Sequence, residues 1–404
     1  MDSRLGFPRV VDFSVHFSGP VATRHLSQLG ADVLKIEAPR HGDGNRWDSP
    51  RIGDVSALHF YLNAGARSLV FDARSPRWPE LVAACAQWAD VVVVGNTPAR
   101  AVKLGIDPAT MLRLDPELVY CAVTGYGLDG PWRDLPAHGL NTDAYAGTIP
   151  LEDEDGTPVV PGGFRSVGTT LAGVEAALGI FAGLARQRAG FGGQFVHVSV
   201  WESALAWQWR DTTIHANTGE SWLRYRDLGS RYAVYRCADG KALLVCPIER
   251  RFWEAFCEVL GLDEAARKRG DWAHGVDYGR DYEGEAAEIQ ERMRDRGRDE
   301  WERMLSAEEV PVAPLLDWRE AMRSEHAGAN GAMNTVDYQG TAVHVPTVPV
   351  SVTPASELGE KSLRELADAH RRKGEGLATA PGLGEHSDEA LKELGIDERP
   401  ANAT

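Results

Sequence analysis

Short apolar runs alternate with longer segments of helical periodicity over the first 130 residues. This alternation is typical of a parallel sheet whose strands are joined by crossover helices. The apolar runs predict strands at 10–13, 32–36, 68–71, 91–94 and 118–123, and the periodic segments predict helices at 20–29 and 78–88. Pro20 lies in the first turn of the first helix, and Gly30 follows its last residue. The N-terminal part is therefore expected to be α/β.

The pattern changes twice further along the chain. From 125 to 168 the sequence is rich in Gly, Pro and Asp, which predicts a long irregular connection of the kind that is usually functional. A helix at 169–188, a strand at 194–200 and a helix from about residue 202 are predicted to follow it. Beyond residue 225 the sequence predicts two strands around Ala238-Asp239-Gly240, as in a hairpin, and helical segments at 249–260 and 283–306. These later segments indicate a second domain.

Composition narrows the class of protein. The chain has 404 residues and a formal net charge of −16, with 43% apolar and 25% charged residues. These values are typical of a globular protein of two or three domains. A net negative charge excludes the class of strongly basic proteins that bind the phosphate backbone of nucleic acids. The five cysteines have no CxxC spacing, so neither a disulfide framework nor a metal site is predicted. No signal peptide or membrane span is recognised, which predicts a cytoplasmic protein without a membrane partner.

The common nucleotide-binding motifs are absent from the sequence. The turn after the first predicted strand reads Ser18-Gly19-Pro20 in place of Gly-x-Gly-x-x-Gly, and no Walker loop occurs. A dinucleotide- or ATP-dependent activity is therefore not indicated.

Several segments together resemble family III CoA-transferases, the group that includes formyl-CoA and carnitine CoA-transferases and α-methylacyl-CoA racemases. The matching segments are 10–14, 19–23, 29–39, 61–69, 118–121, 192–199, 238–240, 308–314 and 383–389. The segment at 29–39 reads LGADVLKIEAP. The resemblance extends over nearly the whole chain.

The resemblance implies an α/β fold with a Rossmann-like large domain and a smaller α+β domain. The large domain would comprise 1–224 and 326–404, with the small domain inserted at 225–325. Two subunits would interlock as a ring-like homodimer, with acyl-CoA between the large domain of one and the small domain of the other. No cofactor would be permanently bound, because coenzyme A enters as part of the substrate.

The two chemistries of this family differ in their catalytic residues. Transferases use an aspartate that attacks the thioester and forms a mixed anhydride, whereas racemases use an aspartate and a histidine as opposed bases at the α-carbon. The resemblance places Thr169 at the position of the aspartate in both. A neutral hydroxyl forms an ordinary ester instead of an energy-rich anhydride, so transfer requires a displaced acid. Asp143 and Glu175 are the nearest acids in sequence.

Two residues favour the racemase-like chemistry. The resemblance places His138 where racemases carry their catalytic histidine, and Glu249 where a glutamate supports that histidine. A carboxylate-supported imidazole is a suitable base for removal of an α-proton. Without the resemblance, His138 is a loop residue, Glu249 is an acid favoured at a helix start, and Thr169 is a helix N-cap.

The coenzyme A binding residues implied by the resemblance are Arg40, Arg67, Asn96 and Lys103. The family's basic segment reads LNAGARS here, at 62–68, and keeps one of its three positive charges. The loss of two cations predicts weak binding of CoA, or a substrate that lacks part of it. For Arg67 and Lys103, a solvated surface position is the alternative.

Three functions follow from these observations. The main hypothesis is α-carbon proton chemistry on an acyl-CoA, of the racemase, epimerase, isomerase or elimination type, by a pair formed by His138 and Glu249. The first alternative is a CoA-transferase that moves CoA between carboxylic acids with a displaced nucleophile. The second is a non-catalytic subunit in a mixed dimer with an active paralogue.

Overall fold

The computed structural model describes residues 7–221, 227–280, 282–354, 363–371 and 378–396. The chain divides into two compact units, one made of Met1–Trp209 and Glu325–Thr404 and the other of Arg210–Ser324. The predicted boundary after residue 224 lies among residues 222–226, outside the described residues. The second unit ends beside the predicted limit at 325.

The strands are β1 (Arg9–Asp12), β2 (Asp32–Glu37), β3 (Arg51–Ile52), β4 (Val55–Ser56), β5 (Ala66–Val70), β6 (Val91–Val94), β7 (Val119–Thr124), β8 (Glu152–Glu154), β9 (Thr157–Val159), β10 (Gln194–Ser199), β11 (Ala233–Arg236), β12 (Ala242–Val245), β13 (Val312–Pro314), β14 (Met333–Tyr338) and β15 (Thr341–Pro346). The helices are α1 (Ser18–Gln28), α2 (Ala57–Leu62), α3 (Trp78–Trp88), α4 (Pro98–Leu104), α5 (Pro108–Leu114), α6 (Gly139–Ala146), α7 (Val167–Arg186), α8 (Val200–Trp207), α9 (Trp209–Thr218), α10 (Arg250–Leu260), α11 (Glu264–Lys268), α12 (Glu285–Met293), α13 (Arg298–Ala307), α14 (Trp318–Met322), α15 (Glu325–Ala329), α16 (Leu363–Arg371) and α17 (Ser387–Glu393).

The first unit is built on six parallel strands in the order β10-β7-β6-β1-β2-β5. Alternate residues of the strands point to opposite faces, and both faces are buried under helices. Val10, Val91 and Val93 pack on one side, whereas Val11 and Val92 pack on the other. A sheet covered on both faces needs continuous apolar strands, which is why the apolar runs predicted these strands correctly.

Helix α7 has the length and mean hydropathy of a membrane span, but one of its faces packs within the first unit. Gly173 lies against α1, where a Cβ would approach the Val21 side chain to 2.5 Å. Ala172, Ala176 and Ile180 are fully buried in the core beside the sheet. The small residues along α7 therefore allow two helices to pack closely over the parallel strands.

The C-terminal segment returns to the same sheet. The backbone N–H of His386 donates to the carbonyl of Ser68, and the hydroxyl of Ser387 accepts from the N–H of Val70. Ala390 and Leu391 of α17 are buried in the core on one face of the sheet. The first unit thus combines the N-terminal strands with the C-terminal helix α17.

The segment from 125 to 168 differs from its prediction as an irregular connection. It contains the helix α6 and an antiparallel pair, β8 and β9. Gly147 ends α6 in the left-handed conformation, with a φ of 73°. The sequence pattern missed α6 because most of its side chains are polar or small, and its structure depends on contacts with α7 and α8.

The second unit has an antiparallel sheet in the order β11-β12-β13, and β11 and β12 form the predicted hairpin. Helices α10, α12 and α13 cover it, with Trp253, Phe256 and Trp301 in the core. The predicted helical region at 283–306 is two helices, separated at residues 294–297. Arg231 is fully buried, ion-paired with Glu285. The smaller α+β unit agrees with the expected fold.

Candidate active site

A cavity of about 370 Å³ lies at the carboxyl ends of β1, β6 and β7. Strands β1 and β6 are neighbours in the sheet, and from them the chain continues to β2 on one side and to β7 on the other. Such a switch point in a parallel sheet is the usual place for a ligand. The cavity is lined by 15–19, 95–97, 123–125 and 136–139, together with Arg100, Thr142, Thr169 and Val200. The cavity lies wholly within the first unit.

The structure brings His138 and Thr169 together at this cavity. Between them lies Gly139, where a Cβ would approach Thr169 Cγ2 to 2.8 Å. His138 is an exposed residue that precedes α6, and its backbone N–H donates to Asn141 Oδ1 at 2.7 Å. Its imidazole is thus presented at the cavity by the first turn of α6.

Thr169 is not the N-cap of α7, which is Ser166. The Thr169 hydroxyl donates to the carbonyl of Ser166 at 3.3 Å, and the Thr169 N–H donates to the Ser166 hydroxyl at 3.5 Å. The expected N-cap was therefore wrong by three residues. Serine and threonine are both preferred at N-caps, so residue type alone did not show which of the two begins α7.

A buried carboxylate lies directly beside the start of α7. Asp143 is fully buried, and its Oδ1 accepts a hydrogen bond from the backbone N–H of Gly168 at 3.0 Å. Its Oδ2 has no hydrogen-bond partner among the described residues. Helix α6 thus brings Asp143, one of the two acids nearest in sequence, to the residue that precedes Thr169. Glu175, the other acid considered, accepts from the Ser203 hydroxyl instead.

Asn96 lines the cavity, as expected from its position after β6, but Lys103 does not. Lys103 is exposed on α4, one turn beyond Arg100, which does line the cavity. Sequence reasoning missed Arg100 and His16, both of which follow strand ends that meet at the switch point. Their positions after β6 and β1 provided a signal for both, because ligands usually bind at the carboxyl ends of parallel strands.

Arg40 and Arg67 lie away from the cavity lining. Arg67 stands at the start of β5, where its guanidinium donates to Asp32 and Glu393 at 3.0–3.1 Å. Two carboxylates of the protein thus compensate the charge of Arg67. Arg40 is exposed in the loop after β2. A role for either residue in binding CoA stays a prediction.

Glu249 belongs to the second unit, where it is the N-cap residue of α10 and makes no side-chain capping bond. His138 belongs to the first unit. The pairing of the two therefore stays a prediction.

Buried charges hold the loop that carries His16. The ammonium of Lys35 lies 3.2 Å from Asp12 Oδ2 and 2.9 Å from Asp43 Oδ2, and all three residues are at most 1% exposed. Asp43 Oδ1 accepts from the backbone N–H of His16 at 2.8 Å, and Lys35 donates to the carbonyl of Ser14. Burial acts to raise the pKa of Asp43, but Lys35 and the His16 N–H outweigh it and lower that pKa. This network fixes one wall of the cavity.

The sequence profile of CoA-transferase family III matches residues 8–386. The chain belongs to this family. The match covers both the parallel sheet and the C-terminal segment that packs against it. Membership in this family supports the expectation that the protein is an enzyme.

Relatives in this family are named as CoA-transferases. The acetyl-CoA:oxalate CoA-transferase of Acetobacter aceti is 27% identical over 376 residues, which cover 90% of this chain and 94% of that protein. The succinate–glutarate CoA-transferase of Agrobacterium fabrum is 26% identical, with 89% and 94% covered. These names favour the transferase alternative over the racemase-like hypothesis.

Solved structures share the fold. The Mycobacterium tuberculosis protein Rv3272 superposes with a TM-score of 0.76 at 22% identity, covering 95% of this chain and 97% of that chain. A CAIB/BAIF family protein from Brucella suis gives a TM-score of 0.74 at 22% identity, covering 97% and 99%. At such identities the likeness concerns the fold alone.

Proposed function

We propose that this protein transfers coenzyme A from an acyl-CoA to a free carboxylic acid. The observation that carries the proposal is the charge of the cavity at the switch point. Arg100, His16 and His138 line it, and no acidic side chain lines it within the described part of the chain. The acceptor carboxylate and the carboxylate that is released are both anions, so this lining favours them over cationic or neutral ligands. Family relatives named as CoA-transferases support the same reaction.

The cavity also limits what can enter it. Its volume of about 370 Å³ suits a small acyl group and part of a CoA arm, since ligand cavities of a few hundred Å³ hold drug-sized molecules. We therefore assign the cavity to the thioester end of the substrate. The phosphates would lie beyond it, toward exposed cations such as Lys103 on α4.

A second candidate is the α-proton chemistry of the main sequence hypothesis. The position of His138 favours it, because this residue is exposed and lines the cavity together with Thr169. Backbone N–H groups at the start of a helix can hold the negative charge of an enolate, but here Gly168 already donates to Asp143 and Thr169 to Ser166. That use weakens the case for enolate stabilisation at the start of α7.

One experiment separates these functions. The purified chain is incubated in D₂O with acetyl-CoA or succinyl-CoA and the matching ¹³C-labelled acid, and the CoA thioester is analysed by mass spectrometry. Transfer predicts ¹³C in the thioester acyl group, because the labelled acid exchanges into CoA. Enolisation predicts deuterium at the α-carbon without ¹³C, and it is lost in His138→Ala. Deuterium without ¹³C across a panel of acids would overturn the transfer proposal.

We also propose that the protein acts as a homodimer. Val174, Leu178 and Phe181 are exposed apolar residues spaced along one face of α7, and Leu178 is 70% exposed. Residues at this spacing form a continuous stripe that water solvates poorly. A mixed dimer is the alternative, because a 26% identical relative from Chloroflexus aurantiacus is named as the β subunit of a succinyl-CoA–L-malate CoA-transferase.

A further inference from the structure

We infer that Asp143 is the carboxylate that attacks the acyl-CoA thioester in this protein. The inference rests on the CoA transfer proposed above and names the residue that performs it. It answers the question raised by Thr169, whose neutral hydroxyl cannot form a mixed anhydride.

The position of Asp143 carries the first part of the argument. Its Oδ1 lies 3.0 Å from the N–H of Gly168, the residue before Thr169. This approach depends on the absence of a side chain at Gly168, because a Cβ there would lie 2.9 Å from Asp143 Oδ1 and 2.7 Å from the Val200 carbonyl. The start of α7 is thus shaped to receive a carboxylate from α6.

The unpaired oxygen carries the second part. Ser166 caps α7 by accepting from the N–H of Thr169, whereas Asp143 accepts from the N–H of Gly168 through Oδ1 alone. Oδ2 is buried and has no partner among the described residues, although an unbonded buried oxygen destabilises the folded state. A buried polar atom without a partner requires an explanation beyond packing.

Asp143 does not line the cavity itself, but its chain neighbour does. Thr142 precedes Asp143 and Thr169 follows Gly168, and both threonines line the cavity. Rotation about the Cα–Cβ bond of Asp143 is the movement required to present Oδ2 to a bound thioester.

The chemistry balances without a further reactant. Oδ2 attacks the acyl carbon, the C–S bond breaks, and CoA leaves as the thiolate. The thiolate then attacks the aspartyl carbonyl of the anhydride, which releases the first acid and leaves an aspartyl thioester. The acceptor carboxylate attacks this thioester, the thiolate leaves again, and its attack on the acceptor carbonyl of the new anhydride forms the new acyl-CoA and restores Asp143.

Asp143→Asn tests the inference, with Glu175→Gln as the matched control. The amide oxygen of asparagine can still accept from Gly168, so the variant keeps the observed contact and loses only the nucleophile. We expect transfer to fall by at least about a thousandfold in Asp143→Asn and to stay within a few-fold of the parent in Glu175→Gln. Unfolding temperatures of both variants check that the fold is intact.

Trapping with hydroxylamine tests the same step without an acceptor. Parent protein treated with acetyl-CoA or succinyl-CoA and hydroxylamine should carry a hydroxamate on the peptide that contains Asp143. A hydroxamate on another residue, or none, would overturn the inference, as would normal transfer by Asp143→Asn. Because the parent is assayed for transfer in parallel, these results distinguish a wrong nucleophile from a wrong function.

Discussion

At the scale of single residues, Arg100 is the only arginine or lysine among the described residues that line the cavity. It lies on α4, where its backbone N–H donates to the N-cap Thr97. An arginine side chain keeps its positive charge over the whole physiological pH range. Arg100 should therefore supply most of the attraction for an anionic substrate.

Replacing Arg100 by alanine should weaken substrate binding. A charge-assisted contact contributes roughly 1.5–3 kcal/mol, which corresponds to a KM increase of about ten- to a hundredfold with little change in kcat. Arg113→Ala is the matched control, because Arg113 is exposed on α5 and does not line the cavity. Steady-state kinetics compare acyl-CoA with acyl-pantetheine, an analogue that keeps the thioester end and lacks the nucleotide and its phosphates. A higher KM for both substrates would show that Arg100 acts at the acyl end. An unchanged KM for both would contradict the role.

At the scale of elements, the short helix α2 joins the C-terminal segment through one buried histidine. His59 is fully buried, and its Nε2 lies 3.3 Å from the carbonyl oxygen of Pro381. Arg46 donates to the same carbonyl at 3.0 Å. Burial and the nearby charge of Arg46 lower the pKa of His59 from 6.5 to about 4, although Glu37 acts in the opposite direction. His59 is therefore neutral in the folded protein.

This contact should make the protein sensitive to mild acid. Because the pKa is lower in the folded state, the unfolded state binds the proton first, so stability falls as the pH drops from 6.5 toward 4. At pH 5 the loss from His59 amounts to roughly 2 kcal/mol. We expect the unfolding temperature of His59→Gln to fall less between pH 7.5 and pH 5 than that of the parent.

The exposed His215 on α9 provides the control for this measurement. His215→Gln should show the parent's dependence on pH. The buried carboxyl groups of Glu37 and Asp43 also have lowered pKa values, against the effect of burial, so part of the acid sensitivity should remain in both variants. Equal slopes for His59→Gln and the parent would contradict the assignment.

At the scale of the whole molecule, the exposed apolar stripe formed by Val174, Leu178 and Phe181 on α7 predicts that two chains associate. The chain has a mass of 44.1 kDa, and a homodimer would have twice that mass in solution. Leu178→Asp places a charge in the centre of the stripe and should shift the protein toward the monomer, because burying an unpaired charge costs several kcal/mol. Light scattering coupled to gel filtration measures the change.

Val102 on α4 is also exposed, at 65%, and lies outside the stripe. Val102→Asp should therefore keep the oligomeric state of the parent. A parent that is monomeric at micromolar concentration would contradict the homodimer, whereas a parent that dimerises only with a paralogue would favour the mixed dimer.

The sequence by itself determined the parallel sheet, the hairpin of the second unit and the family. Strands buried on both faces must be continuously apolar, and strands such as β6, with four consecutive valines, are therefore visible without any knowledge of tertiary contacts. The resemblance followed from segments spread over the whole chain. The sequence also led to Asn96, His138 and Thr169, all of which line one cavity.

Only the tertiary structure decided which charges are available for chemistry. Arg67 looked like a ligand for phosphate, but Asp32 and the distant Glu393 compensate it. Asp143 is distant from Thr169 along the chain, yet α6 brings it to Gly168. Hydrogen bonds and ion pairs act over a few ångströms in space, and the separation of two residues along the chain does not reveal whether folding brings them within that range.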